Sequence, residues 1–128
     1  VRKMHEAKLA GAPAVNLWGT GTPRREFLHV DDLADALLFL MHSYSAESHL
    51  NVGVGEDITI RELAQTVQKV VGYGGELDFD ASKPDGTPRK LVETSRINGL
   101  GWKAQIPLEE GLAAAYAWFV EHHAMARM

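Results

Sequence analysis

Glycine and proline residues interrupt this sequence so often that no long strand can form, and their spacing most constrains the fold. Clusters of these residues, which break helices and strands, lie at residues 11–13, 19–23, 81–93 and 99–101, and Pro107 is a further break. The segments between them alternate between the helical period of about 3.6 residues and the two-residue period of a strand. The pattern predicts a mixed α/β fold of helices and short strands, with no linker dividing residues 1–128.

Helices are predicted in five places. Residues 1–10 form the last turns of a helix that stops at Gly11, and Asp31 caps a second helix. Thr59 and Glu62 match a capping box that opens a third, a short helix follows residues 94–95, and Pro107 starts the last. The apolar positions expected to face inward in the second and last helices are Leu33, Leu37, Leu40, Met41 and Tyr44, and Leu108, Leu112, Ala115, Tyr116, Phe119 and Val120.

Short strands are predicted at residues 14–18, 25–30, 50–53 and 76–80, where apolar and polar side chains alternate or a brief apolar run is bounded by turn residues. Residues 81–93 hold Pro84, Gly86 and Pro88 between charged side chains and are predicted to form a loop.

Composition excludes several functions. The chain has no cysteine, so a disulfide scaffold, a thiolate metal site and a cysteine nucleophile are ruled out. Its six histidines form no helical pair with a carboxylate of the kind that binds zinc, so we expect no metal site. A net charge of −4 argues against a nucleic-acid partner. The longest apolar run, residues 36–41, is far shorter than the roughly 20 residues of a membrane span.

A dinucleotide site at Gly53 and Gly55 is the first catalytic hypothesis, and the sequence argues against it. The third glycine of the fingerprint is replaced by Ile58. Glu56 and Asp57 would also place negative charge where a pyrophosphate needs backbone N–H groups. We therefore interpret this segment as a glycine turn that joins a strand to a helix. No nucleophile elbow and no tyrosine–lysine or serine–lysine pair at helical spacing is present.

Cations and one aromatic side chain are the remaining candidates for binding. Arg24 and Arg25 follow a glycine turn next to Trp18, and a second group lies in the proline-rich loop at Lys83, Arg89 and Lys90. Guanidinium groups bind phosphate oxygens, and an indole face can stack on a base or a sugar. The alternative is that these loops are charged only to remain solvated. The residues alone leave both interpretations open.

Residues 18–36 resemble a signature of the extended short-chain dehydrogenases/reductases, which include nucleotide-sugar epimerases and dehydratases. The similar features are an arginine and an aromatic residue ahead of Val-Asp-Asp. Residues 50–53, 60–64, 100–102 and 108–112 resemble further segments of that superfamily in the same order. The loop Phe-Asp-Ala-Ser-Lys-Pro-Asp-Gly-Thr-Pro-Arg-Lys at residues 79–90 is very similar to that of its bifunctional epimerase–reductases that act on a GDP-sugar.

The resemblance implies an enzyme that converts GDP-4-keto-6-deoxy-D-mannose to GDP-L-fucose by epimerisation at C3 and C5 and NADPH-dependent reduction at C4. In this family, residues matching Trp18, Arg25 and Asp85 contact the GDP-sugar, and the lysine matching Lys90 lies nearby. Lys3 stands where the family usually has an arginine and offers a single-point ammonium instead of a fork, so we do not count it as a contact. The family further implies a cytoplasmic homodimer that uses NADP and no metal.

The same resemblance implies that residues 1–128 are the C-terminal substrate-binding region of a longer enzyme. We expect the Rossmann half to precede Val1, together with the NADP turn, the Ser-Tyr-Lys reduction centre and the Cys/His pair for epimerisation. The fragment alone should then hold no catalytic or cofactor-binding residue and be inactive. Its strand at residues 50–53 would pair with the missing half, which leaves apolar helix faces exposed. The alternatives are another extended nucleotide-sugar epimerase or dehydratase, and a non-catalytic protein-interaction module.

Overall fold

The computed structural model describes residues 1–125, and these contain five helices and five short strands. In chain order they are α1 (Arg2–Ala10), β1 (Ala14–Trp18), β2 (Arg24–Arg25), α2 (Val30–Ser43), β3 (Ile58–Thr59), α3 (Ile60–Val71), β4 (Glu76–Asp80), β5 (Arg89–Lys90), α4 (Ser95–Leu100) and α5 (Leu108–His122). None of these helices is both long and apolar enough to cross a membrane.

The strands form two small sheets. β1 and β4 pair in parallel from Ala14 opposite Glu76 to Trp18 opposite Asp80. In the second sheet, β2 lies between β3 and β5, antiparallel to the former and parallel to the latter. Each strand of this second sheet has only two residues, so its backbone ladder is short.

Two apolar clusters stabilise the fold. The first packs α1, β1 and α3 together through Met4, Val15, Ala64, Val67, Val71 and Tyr73. The second joins α2 to α4 and the turn after it through Ala36, Ile97 and Trp102. Ile97 and Ala36 are fully buried. The first sheet is therefore packed against α1 and α3.

Local signals place most helix ends where the sequence predicts them. Gly11 closes α1 in the left-handed conformation, with φ 63°. The capping box of α3 is complete, since the Thr59 hydroxyl accepts from the N–H of Glu62 while the Glu62 carboxylate accepts from the N–H of Thr59. α5 begins directly after Pro107.

The start of α2 differs from the prediction. The helix begins at Val30, and its N-cap is His29, whose Nδ1 accepts from the N–H of Asp31 at 3.2 Å. Asp31 as the cap was wrong. Asp31 lies inside the first turn of the helix, and its own N–H is the free donor that the imidazole nitrogen of His29 satisfies.

The apolar stripe predicted for α2 is only partly buried. Leu37 and Met41 are 54% and 77% exposed, and the buried side chains of the helix are Asp32 and Ala36. The inward orientation of the whole stripe was therefore wrong. α2 packs through a narrow side centred on Ala36, because a small residue lets the helix approach Ile97 and Trp102 closely. In α5, Ala115 and Val120 are likewise exposed, against the expectation.

Two strand predictions and one loop prediction also require correction. The strand predicted at residues 25–30 is limited to β2, and residues 50–53 form no strand. The loop predicted at residues 81–93 contains β5. A strand needs a partner ladder, and among residues 1–125 no strand pairs with residues 50–53.

Candidate binding site

Two cationic side chains lie side by side where β2 meets β5. The strand register places Arg25 opposite Lys90. Arg25 is half-buried and its Nη1 donates to the carbonyl oxygen of Arg24 at 2.7 Å, while Lys90 is exposed. Across residues 1–125, neither side chain has a carboxylate partner. Their remaining N–H donors are available to an anion such as a diphosphate.

The preceding residue of each strand has a different role. Arg24 Nε lies 2.8 Å from Oδ1 of Asp57, and Arg89 Nε lies 2.5 Å from its Oδ2. The Asp57 side chain is only 3% exposed. The hydrogen bond from Arg24, reinforced by that from Arg89, holds the pKa of Asp57 below its usual value of 3.8. Four of the five candidate cations thus form a structural pair, Arg24 with Arg89, and an available pair, Arg25 with Lys90.

Asp85 connects the proline-rich loop to the glycine turn after β1. Its Oδ1 accepts from the N–H of Thr20 at 2.7 Å, and its Oδ2 accepts from the Thr20 hydroxyl at 2.8 Å. Gly19 has φ 87°, and a Cβ there would collide with the Asp85 carboxylate. Each carboxylate oxygen keeps a lone pair for a further donor. A contact between Asp85 and a sugar stays a prediction.

Trp18 ends β1 and is 71% exposed. The Lys83 ammonium lies 5.6 Å from the centre of its ring, within the range of a cation–π contact. Lys3 lies on α1, and its ammonium donates to the carbonyl oxygen of Asn16 at 2.8 Å, which ties α1 to β1. Lys3 therefore has a backbone partner, and Trp18 offers an exposed apolar face.

A cavity of about 320 Å³ lies beside Arg25. The cavity is lined by Arg25, Phe27, Val54, Glu56, Ile58 and residues 103–108, so its walls are mostly apolar. The loop that carries Asp85 also comes close to Arg25, since a Cβ on Gly86 would lie 3.8 Å from Arg25 Nη2. Of the four predicted site residues, Arg25 lines the cavity, and Trp18, Asp85 and Lys90 do not.

Three carboxylates that organise the site were not among the predicted site residues. Asp57 holds Arg24 and Arg89, and Glu26 accepts from three backbone N–H groups, those of Val54, Gly55 and Val92. Asp32, which is 5% exposed, accepts from the N–H groups of residues 105 and 106 in the cavity wall. Glu26 and Asp32 flank the apolar residues Phe27, Leu28 and Val30 within the signature, and that position is the signal that could have identified them.

The glycine turn at Gly53 and Gly55 does not offer a phosphate cradle. The N–H groups of Val54 and Gly55 are already bound to Glu26, so a pyrophosphate would compete with a carboxylate. This geometry supports the interpretation as a structural turn. Over residues 1–125, no three His, Cys, Asp or Glu side chains converge in a way that could hold a metal ion.

Comparison with known proteins shows which class of proteins the chain resembles. The model of the NAD dependent epimerase/dehydratase family matches residues 1–53. The chain has the mixed α/β fold of the extended short-chain dehydrogenases/reductases, as the sequence predicts.

Within this class, the similar proteins include several GDP-L-fucose synthases. A probable GDP-L-fucose synthase 1 of Oryza sativa subsp. japonica is 57% identical over 95% of this chain and 37% of its own length. The GDP-L-fucose synthase of Escherichia coli (strain K12) is 56% identical over 95% of this chain and 41% of its own length. A GDP-L-fucose synthetase of Naegleria fowleri, solved with NADP bound, superposes with a TM-score of 0.92 at 29% identity, over 99% of this chain and 40% of that one.

These matches confirm the predicted resemblance to GDP-L-fucose synthases along nearly the whole chain. The chain spans about two fifths of the length of the curated relatives that it matches.

Proposed function

We propose that residues 1–128 form the GDP-sugar-binding region of an enzyme that converts GDP-4-keto-6-deoxy-D-mannose to GDP-L-fucose. The observation that carries this proposal is the pairing of Arg25 with Lys90, in register on adjacent strands and without a carboxylate partner among the described residues. Arg25 also lines a cavity. The similarity to GDP-L-fucose synthases supports the choice of substrate.

The four proposed binding residues would recognise different parts of the ligand. Arg25 and Lys90 suit the diphosphate, because both present cationic donors on one face. Trp18 would supply an apolar wall for a base or sugar ring. Asp85 would accept hydrogen bonds from hydroxyl groups or a base edge, in addition to those from Thr20. Binding energy gained on the nucleotide would then position a sugar that these residues barely touch.

NADP does not fit the two glycine turns of the described residues. The N–H groups of the first turn donate to Asp80 and Asp85, and those of the second donate to Glu26. A pyrophosphate would have to compete with these oxygen acceptors at both turns. We therefore propose that the nicotinamide cofactor and the reacting groups belong to other parts of the whole protein, and that this chain alone has no turnover.

Isothermal titration of the chain with GDP tests the proposal. Wild type should bind GDP, and the double variant Arg25→Ala with Lys90→Ala should bind at least about tenfold more weakly, the equivalent of one or two charge-assisted hydrogen bonds. The matched control is Arg2→Ala with Lys69→Ala, which removes the same charge from exposed ion pairs with Glu6 and Glu109. Equal losses in both double variants, or none in the first, would contradict the proposed site. Tighter binding of UDP than of GDP would favour another nucleotide-sugar enzyme.

A further inference from the structure

We infer that Asp57 is a positioning residue of the proposed nucleotide site, an inference that rests on the proposed function. Asp57 does not reach the ligand itself. It acts through Arg24 and Arg89, which it holds in place, and thereby sets the distance between Arg25 and Lys90.

The geometry requires such a device because β2 and β5 are very short. Each has two residues, and the register pairs Arg24 with Arg89 and Arg25 with Lys90. The two oxygens of Asp57 each accept from one of the two preceding arginines, and Arg24 Nη2 also donates to the Asp57 carbonyl oxygen at 3.0 Å. One carboxylate thus clamps both strands one residue before the proposed phosphate-binding pair.

The charges point to the same role. The two dipeptides carry four cationic side chains next to each other, and like charges directly opposite on neighbouring strands are destabilising. In the part of the chain that the structure describes, Asp57 is the one carboxylate that forms an ion pair with any of these four cations, and it pairs with Arg24 and Arg89. Its lowered pKa keeps it ionised at neutral pH. Without it, repulsion would separate the strands and move Arg25 away from Lys90.

This positioning role predicts a change in GDP affinity that is opposite in sign to the change that electrostatics alone predicts. Replacing Asp57 by Asn removes a negative charge close to the site, so the long-range field alone would make GDP bind more tightly. Loss of positioning instead weakens binding, and we expect about a tenfold weaker Kd for Asp57→Asn, equivalent to about one charge-assisted hydrogen bond to phosphate.

The experiment is titration of wild type, Asp57→Asn and the Arg25→Ala, Lys90→Ala double variant with GDP, at a temperature where circular dichroism shows each to be fully folded. The effect of Asp57→Asn should nearly vanish when it is added to the double variant, because its partners in binding are gone. A merely structural role would lower the melting temperature without this coupling. Tighter or unchanged binding by Asp57→Asn overturns the inference and leaves the proposed function intact.

A charge-conserving variant keeps the test valid if Asp57→Asn does not fold. Arg89→Lys retains the charge of an exposed side chain but loses the planar guanidinium that bonds Asp57, and we expect a weaker affinity for GDP. The matched control is Arg96→Lys, whose guanidinium bonds Tyr44 and the carbonyl oxygen of His49 instead. Equal affinities of wild type and Arg89→Lys would overturn the inference. Failure of wild type itself to bind GDP would overturn the proposed function, and the inference with it.

Discussion

The adjacent carboxylates Asp31 and Asp32 in the first turn of α2 provide a direct test of how this fold is held together. Asp32 is 5% exposed, and it accepts from the N–H of Gln105 at 3.2 Å and from that of Ile106 at 2.9 Å. The Asp31 side chain is 80% exposed and lies 3.8 Å from Nδ1 of His29. Two identical neighbours thus differ only in where the tertiary structure places them.

The expected loss in the free energy of unfolding follows from the backbone N–H donors that each substitution leaves without an acceptor. Asp32→Ala leaves two partly buried N–H groups without an acceptor, at about 1–1.5 kcal/mol each, and relief of the buried charge offsets part of this. We expect a net loss of about 2 kcal/mol in the free energy of unfolding. Asp31→Ala removes only a favourable charge at a helix N-terminus, about 0.3–1 kcal/mol. Asp32→Asn keeps one acceptor oxygen and should fall between them.

Thermal unfolding followed by circular dichroism is the assay. A loss of about 2 kcal/mol in a domain of this size corresponds to a Tm lower by roughly 6–10 °C, against a few degrees at most for the control Asp31→Ala. Urea unfolding should give the same order of free energies. Equal shifts for Asp31→Ala and Asp32→Ala would refute the reasoning that the Asp32 carboxylate secures the cavity wall.

Two further predictions concern pH and packing. Hydrogen bonds lower the pKa of Asp57 (from Arg24), Glu62 (from Thr59) and Glu93 (from Ser95) below their usual values of 3.8, 4.5 and 4.5. The stabilisation that these three carboxylates provide is therefore present above those values and is lost as the pH falls through the lower folded-state pKa values. The urea midpoint should decrease between about pH 6 and about pH 3. Over the same range, the difference in urea midpoint between wild type and Asp57→Asn should shrink. A constant difference over that range would contradict the pairing. Ile97→Ala should lower the free energy of unfolding in urea by about 3 kcal/mol, because Ile97 is fully buried. Met41→Ala should change it by less than about 0.5 kcal/mol, because the Met41 side chain is 77% exposed. Similar losses for the two variants would show that the Met41 side of α2 is buried after all.

Much of the secondary structure could be predicted because its signals are local. The capping box of Thr59 and Glu62 and the left-handed glycine at Gly11 act within one turn of chain. The strict alternation at residues 76–80 also identified β4. The strand expected at residues 50–53 failed because pairing depends on a partner, and a local pattern cannot show whether one is present.

The candidate site was predictable only in part. The resemblance selected Trp18, Arg25, Asp85 and Lys90, and the structure adds that Arg25 and Lys90 are neighbours in a sheet. The connection from Asp85 to Thr20 links positions 65 residues apart, which no local spacing could indicate. Contacts of these four residues with a nucleotide stay predictions.

The sequence by itself determined where helices start and stop and which short segments alternate, since these features depend on residues within a few positions of each other. Only the tertiary structure decided which of two similar neighbours has which role. Arg24 is bound to Asp57, 33 residues away, while Arg25 has no carboxylate partner and donates only to the Arg24 carbonyl oxygen among the described residues. Asp32 enters the interior to meet residue 105, while Asp31 stays in solvent. The physical reason is that burial and ion pairing depend on how distant segments pack, and adjacent residues of the same type differ in nothing else.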